Sequence, residues 1–522
     1  MKLESKVNHA EELIDINSNG FNRNRVIVFC IFFALILLIF FTHLGIKSPY
    51  SYGLSVVYQL DNIHEIEGQH VNWDAPYYVP MTDFFYSPSK ASLPKDPRAF
   101  SVTAHPIPSF CASVMVGITR SYMLSNYIVN ILLVLLLFLV FMNFASRLNV
   151  SYKSIAVAGV GILLLPFFAH YIGQPMQYMT GTVINFLVLI AILSLSNDDY
   201  RNPVGLGLLT GIMTLNYDWY VFVGASVLYF IIFFRFRKKI HYLYFFLALA
   251  APFLVWNLFI NAIKPAGAYN IGYSLFLKPV INGWISYFKH PIKEFSLPFQ
   301  ASQIGLTAAF RQIIALIYWP LLLFTGYFLI KFRKKTKESK LFKLVFLIFA
   351  VYLVEMIVTS VFDWENNSRR AIPVIFVFAF LFTYVIAKTI DYKKVKYVIV
   401  ILLVISFALT FADVFVKDPS IQANQYGEVM RRGPKEVMKW YQLRLNRKSI
   451  PNLPRDRKLQ FYKVQKARLS SINMVNFVFS QIFLFLVLLA LFYFLYKAEL
   501  LPEYSMWIFG TFFVASMIFR FI

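Results

Sequence analysis

Asp74 lies in the stretch Gly68-Gln69-His70-Val71-Asn72-Trp73-Asp74-Ala75-Pro76-Tyr77-Tyr78. A carboxylate set between Trp73 and a Tyr77–Tyr78 pair can take a proton from a hydroxyl. The rings can stack on a sugar, or hold a loop at a membrane interface. An Asp also caps helices, so residue types alone leave both roles open. A second stretch, His105-Pro106-Ile107-Pro108, offers an imidazole that can bind a substrate or serve as a hydrogen-bonded structural group. A third runs Asp363-Trp364-Glu365-Asn366-Asn367-Ser368-Arg369-Arg370-Ala371-Ile372-Pro373. The adjacent guanidinium groups of Arg369 and Arg370 match phosphate oxygens at the opening of a helix, whose dipole favours the same anion. Anchoring to lipid headgroups is the other use of such a pair.

These groups need elements to hold them, and the composition says which kind. The 522 residues are 58% hydrophobic, 18% aromatic and only 15% charged. A soluble domain carries about 25% charged residues. Apolar runs long enough to cross a bilayer recur from Val26 onwards, so the hydrophobic excess reads as membrane spans. The expected spans are 26–46, 126–145, 154–173, 178–196, 203–216, 218–234, 240–262, 308–330, 344–362, 371–387, 397–416, 474–496 and 504–521. The fold expected is therefore all-α: a polytopic integral membrane protein with about 13 transmembrane helices. Asn216, Tyr217 and Asp218 mark a break between two of the spans. Cys30 and Cys111 both lie in apolar stretches and imply no disulfide or metal framework.

Basic residues orient the spans. Arg235, Arg237, Lys238 and Lys239 form one short cluster. Lys331, Arg333, Lys334, Lys335, Lys337, Lys340 and Lys343 form a second, and Lys388, Lys393, Lys394 and Lys396 a third. Two spans separate each cluster from the next, so all three share one side, the cytoplasm. The N-terminal tail 1–25 falls there too. The large segment 47–125 then lies outside, with 107–119 as a non-spanning surface helix opened by Pro106 and Pro108. The net charge of +24 therefore reads as a topology signal and excludes nucleic acid as the implied partner. Segment 417–470 departs from that rule. It holds fourteen Lys and Arg against four acids, yet parity puts it outside. Val437, Trp440, Tyr441 and Leu445 give it an amphipathic helical pattern suited to a lipid surface or an anionic glycan.

No phosphate-binding glycine loop, HExxH or CxxC pattern is present. The order and sidedness of the three polar stretches resemble the C-type (GT-C) membrane glycosyltransferases, which use lipid-linked sugar donors. The matching elements are Asp74-x-x-Tyr77-Tyr78, His105-Pro106-x-Pro108 and Arg369-Arg370-x-x-Pro373. Gly205-Leu206-Gly207-Leu208-Leu209-Thr210-Gly211 is similar to the family's glycine-rich fifth helix. The resemblance covers roughly 26–390, read as the transmembrane catalytic core. Segment 391–522 is a C-terminal transmembrane region outside it.

The resemblance implies a polyprenyl-phosphate sugar as donor and a hydroxyl on a glycan, lipid or protein as acceptor. It implies Asp74 as the base, Arg369 and Arg370 on the donor phosphate, and Tyr77, Tyr78, His105 and Gln177 on substrate. Many relatives have Asp-Glu where this chain has Asp74-Ala75, and an acid in the second outer loop where it has Gln174 and Gln177. The expectation is accordingly an enzyme without a cofactor and without a supported metal. It would sit in a bacterial inner membrane among membrane lipids, with its active site on the outer face. Two other readings remain open: a lipid-linked glycan polymerase or ligase, suited to the basic segment 417–470, and a transporter, suited to Glu355 inside a span.

Overall fold

Long apolar runs without period-two alternation should fold as helices, because a helix satisfies its own backbone polar groups. The computed structural model describes residues 23–45, 85, 105–119, 122–165, 177–197, 201–216, 219–263, 319–333, 340–360, 372–411 and 474–521. The regular elements among them are all helices. They are α1 (Arg23–Gly45), α2 (Pro106–Thr119), α3 (Tyr122–Arg147), α4 (Tyr152–Leu163) and α5 (Gln177–Asn197). There follow α6 (Pro203–Met213), α7 (Trp219–Tyr229) with a π turn over Phe230–Phe234, and α8 (Lys239–Ile263). The rest are α9 (Trp319–Lys331), α10 (Lys340–Ser360), α11 (Ile372–Thr389), α12 (Lys393–Phe411), α13 (Met474–Lys497) and α14 (Tyr504–Phe521).

A helix occurs at each of the expected places, and α6 gives way to a turn at 214–216, where the expected break begins. Among the described residues, four stretches are long and apolar enough to cross a membrane: Ser125–Arg147, Met179–Ser196, Lys239–Ile263 and Val475–Lys497. Other apolar helical stretches, such as Tyr152–Leu163 and Pro203–Met213, are shorter, so the described helices do not establish the count of about 13. Several turn large apolar side chains outward. Leu323, Tyr327 and Ile330 share one face of α9, and Ile330 is 72% exposed. Leu247, Leu254 and Leu258 do the same on α8. Such surfaces are rare against water and suit lipid.

Segment 107–119 is helical, as expected, and α2 is covered by protein. Its residues from Pro106 to Gly117 are buried except Cys111, and it packs against α3, α5, α13 and α14. The reason is that α2 carries no charge and is apolar all round. Its Ser113 hydroxyl donates to its own helix, at Phe110 O, 2.7 Å away. Nothing on it needs water.

Local chemistry sets the other boundaries. Asn202 caps α6, its side-chain oxygen accepting from the amides of Val204 (3.1 Å) and Gly205 (3.2 Å), with Pro203 at the first helical position. Ser151 caps α4 in the same way. Helix α5 lies at the centre. Every side chain from Met179 to Ser196 is buried, and α5 packs on α2, α3, α6, α7, α11 and α13. The closest helix pair is α6 with α8. A Cβ on Gly207 would fall 2.4 Å from the carbonyl oxygen of Phe245, and one on Gly211 would fall 2.6 Å from that of Leu249. These two glycines, four apart, bring the helix backbones together as small residues do in membrane bundles.

The contacts define two ends. Helices α3 and α5 run side by side in one direction, since Asn130 meets Thr180 and Arg147 meets Ser194. Around Arg147 the first end is built. Arg147 donates to Ser194 Oγ at 2.7 Å and to the carbonyl of Ala498 in the α13–α14 turn. Just beyond α5, Arg201 donates to the carbonyls of Phe234 (3.2 Å) and Arg235 (3.3 Å) and lies 4.6 Å from the Phe234 ring centroid. Lys343, in the first turn of α10, lies 5.1 Å from the Phe233 ring centroid. The basic starts of α8 and α10 therefore gather at one end.

The opposite end follows from the same directions. Helix α6 leaves the first end at Asn202, so Asn216 lies at the other. Helix α8 leaves at Lys239 and reaches Trp256, which packs against Phe85 at 6.0 Å between centroids. On α11, Phe376 stacks on Phe186 at 3.9 Å, while Phe380 lies against Phe141 and Phe144, nearer Arg147. The start of α11 therefore points to the second end, as do the starts of α3, α5 and α13.

Candidate functional site

Of the sequence-derived site residues, His105 is the one whose side chain is described. It precedes α2 at the second end, half-buried, with Nδ1 on its buried edge. Its imidazole is hydrogen-bonded to the backbone of Asn216, itself fully buried beyond α6. Burial pushes the His105 pKa down to about 4, and the bond to Asn216 opposes this only in part. His105 is therefore neutral near pH 7. It is fitted to give or take a hydrogen bond without adding charge.

Gln177 is the first residue of α5, at the same end. Asp74, Tyr77, Tyr78, Arg369 and Arg370 lie outside the described residues, as does the basic segment 417–470. Their flanks are described. Phe85 follows Asp74 by eleven positions in the chain and is buried at the second end. Helix α11 starts two residues after Arg370. Chain elements next to all three polar stretches thus converge on the end opposite the basic clusters. Glu355 falls within α10 and Asp413 lies outside the described residues.

Sequence reasoning missed two features of this end. The first is a buried neutral polar layer. Asn126 and Asn130, one turn apart on α3, are buried, as are Thr180 and Asn185 on α5, and the Thr180 hydroxyl donates to Asn130 Oδ1. Thr119 and Ser125 share a hydrogen bond of 2.6 Å nearby. Polar residues repeated inside apolar spans were the available signal, because such groups are expensive in hydrocarbon unless paired. The second is the contact of Gln481 with Phe85. Its Nε2 donates to the Phe85 carbonyl at 2.9 Å across 396 residues, which no local pattern announces.

Other chemistry is sparse among the described residues. No group of three His, Cys, Asp or Glu comes together there. Cys30 and Cys111 are free thiols, Cys30 exposed and Cys111 half-buried. A small cleft between α3, α4, α5 and α11 is lined by Phe138, Phe141, Phe186, Ile190, Phe376 and other apolar side chains, so it offers no reactive group. No family model matches the chain, and no curated protein or solved structure matches it either.

Proposed function

We propose that the chain is a membrane glycosyltransferase of the C-type class, acting at the second end of the bundle. The observation that carries this reading is the convergence there of the flanks of the acid, histidine and arginine stretches. Helices α3, α5, α11 and α13 start at that end while α6 and α8 finish there, and a donor phosphate would gain beside one of the N-termini. The basic connectors lie at the other end, which by the charge rule is the cytoplasmic side. The reaction would therefore take place on the outer face of a bacterial inner membrane.

Asp74 accepts the proton of the acceptor hydroxyl, and that oxygen attacks the anomeric carbon of the donor. The bond from that carbon to the phosphate oxygen breaks, and polyprenyl phosphate leaves with the electron pair. Arg369 and Arg370 bind the departing phosphate and offset its growing charge. A single inverting displacement results. Tyr77, Tyr78, His105 and Gln177 would hold the sugar and acceptor. No metal or other cofactor is invoked.

One observation favours a second reading, a lipid-linked glycan polymerase or ligase. The fourteen basic residues of 417–470 lead into α13, which starts at the second end, and they suit an anionic glycan chain. The test uses purified full-length protein with polyprenyl-phosphate sugars and hydroxyl acceptors. Wild type should transfer sugar. Asp74→Asn should lose at least about 100-fold in kcat, the usual range for a general base. Arg369→Ala/Arg370→Ala should raise donor KM and lower kcat together. Full activity of Asp74→Asn would remove the base assignment, and saturable solute uptake without transfer would replace the enzyme with a transporter.

A further inference from the structure

The C-terminal hairpin α13–α14 lies outside the stretch that resembles the glycosyltransferases, yet it holds Phe85 and α2, which flank the acid and histidine stretches. Gln481, on α13, is buried, and its amide donates to the carbonyl of Phe85 at 2.9 Å. The Phe85 ring is fully buried. It meets Phe110 of α2 edge-on at 5.8 Å and Trp256 of α8 at 6.0 Å. Trp256 in turn stacks with Phe483, two residues after Gln481, at 6.1 Å. On α14, Ser516 donates to the carbonyl of Val114 in α2 at 2.6 Å, and Phe513 lies 5.8 Å from Phe110. Three helices and one buried amide thus hold a single residue of the 47–125 segment.

We propose that Gln481 is a positioning residue, which ties the chain eleven residues after Asp74 to the bundle by fixing the backbone at Phe85. The inference rests on the reading of Asp74 as the base. Chain geometry shows what the anchor can do. Eleven residues reach at most about 40 Å when extended, so a fixed Phe85 bounds the reach of Asp74, and more tightly that of Tyr77 and Tyr78. Fixing Phe85 also divides the connection between α1 and α2 into two shorter loops, each with less closure entropy to lose. A buried carbonyl is costly to leave without its donor, which makes the register at Phe85 specific as well as close. Gln481 touches no substrate in this scheme. It acts through Phe85.

The test compares wild type with Gln481→Met, which keeps the side-chain length and removes the donor. Ile482→Ala is the control, since Ile482 is exposed on the same helix. Two readouts are taken on the full-length protein. Backbone hydrogen exchange around Phe85 should speed up about 10-fold or more in Gln481→Met, with α5 unchanged. With polyprenyl-phosphate sugars, kcat should fall about 10-fold, while donor KM stays within about twofold and Ile482→Ala matches wild type. Unchanged exchange around Phe85 overturns the anchor. Faster exchange with wild-type kcat overturns the positioning role. Faster exchange in a protein whose wild type transfers no sugar overturns the transferase reading and leaves the anchor standing. If Gln481→Met does not fold, Gln481→Asn is read in the same way, because it keeps an amide but falls one methylene short of Phe85.

Discussion

The two ends of the bundle solve opposite electrostatic problems. At the first end, α3, α5 and the π turn after α7 finish, and helix C-termini leave unsatisfied carbonyls. Arginines meet them. Arg201 donates to the carbonyls of Phe234 and Arg235, and Arg147 to that of Ala498, which closes the α13–α14 turn. Arg235 and Glu499 adopt positive φ angles of 49° and 54°, as residues do where a helix is turned off abruptly. At the second end α3, α5, α11 and α13 begin while α6 and α8 finish, and the polar side chains described there are neutral: His105, Asn130, Thr180 and Gln481. The first end spends its arginines on its own backbone. At the second, the described residues offer helix starts and neutral donors. The comparison explains why most of the basic residues in short connections lie far from the proposed chemistry.

The largest way to break this arrangement is to separate the two ends. Helix α6 joins them, from Asn202 to Asn216, and its spacing is set by the seam with α8. Gly207→Leu places a side chain where even a Cβ would sit 2.4 Å from the Phe245 carbonyl oxygen. Backbone cannot yield as a side-chain tip can, so the helices must part. The expected loss is about 3 kcal/mol or more, at the upper end for overpacking. Thermal unfolding in detergent would show it as a large drop in midpoint or a failure to fold. Gly224→Leu is the comparison, since a Cβ there meets only Val351, at 3.5 Å. Equal midpoints for the two variants would mean that the seam does not set the spacing.

Much of this frame was legible in the sequence, and the physical reason is locality. An apolar run of spanning length declares a helix without reference to any partner, so a helix stands at each expected place. The break after Asn216 was visible for the same reason. The burial of α2 was not, because 107–119 was judged by its length and its prolines. Its lack of any charged residue was the better guide. The candidate site was legible in residue types and illegible in its assembly. Acid, histidine and arginine stretches could be found by the chemistry they permit. The tie between Gln481 and Phe85 joins residues 396 apart and leaves no periodic trace. Nor did the pairing of Asn130 with Thr180, which needs the relative direction of α3 and α5 to be known first.

A smaller perturbation separates the charge at the first end from the hydrogen bonds. Arg147 is 30% exposed and Glu499 is 79% exposed, with 3.5 Å between their charged groups. An ion pair this open contributes little. The weight should fall on the bonds from Arg147 to Ala498 and Ser194. Arg147→Met should lower stability by about 1–2 kcal/mol, the range for lost hydrogen bonds from a charged donor, with the Ser194 hydroxyl still donating to the Ala498 carbonyl at 3.3 Å. Glu499→Gln should change it by less than about 0.5 kcal/mol. Equal losses in the two variants, measured by thermal unfolding at low and high salt, would make the ion pair the fastening and overturn the account of carbonyl capping.

The finest distinction between the ends is their response to acid. His105 has its pKa lowered from 6.5 to about 4, chiefly by burial, while the bond to Asn216 works against the shift. Between those two values the unfolded chain binds a proton that the folded protein does not. Stability therefore rises with pH across this window. The contribution is fully present above about 6.5 and is lost as pH falls toward 4. His105→Gln retains a polar side chain but cannot titrate, so its unfolding midpoint should depend less on pH between 4 and 6.5 than that of wild type. Arg147→Met, at the other end, should keep the wild-type dependence, because its guanidinium does not titrate there. The same slope in wild type and His105→Gln would mean that the imidazole meets solvent freely. The surroundings of His105 would then not be the dry setting that sets the described part of the second end apart from the first.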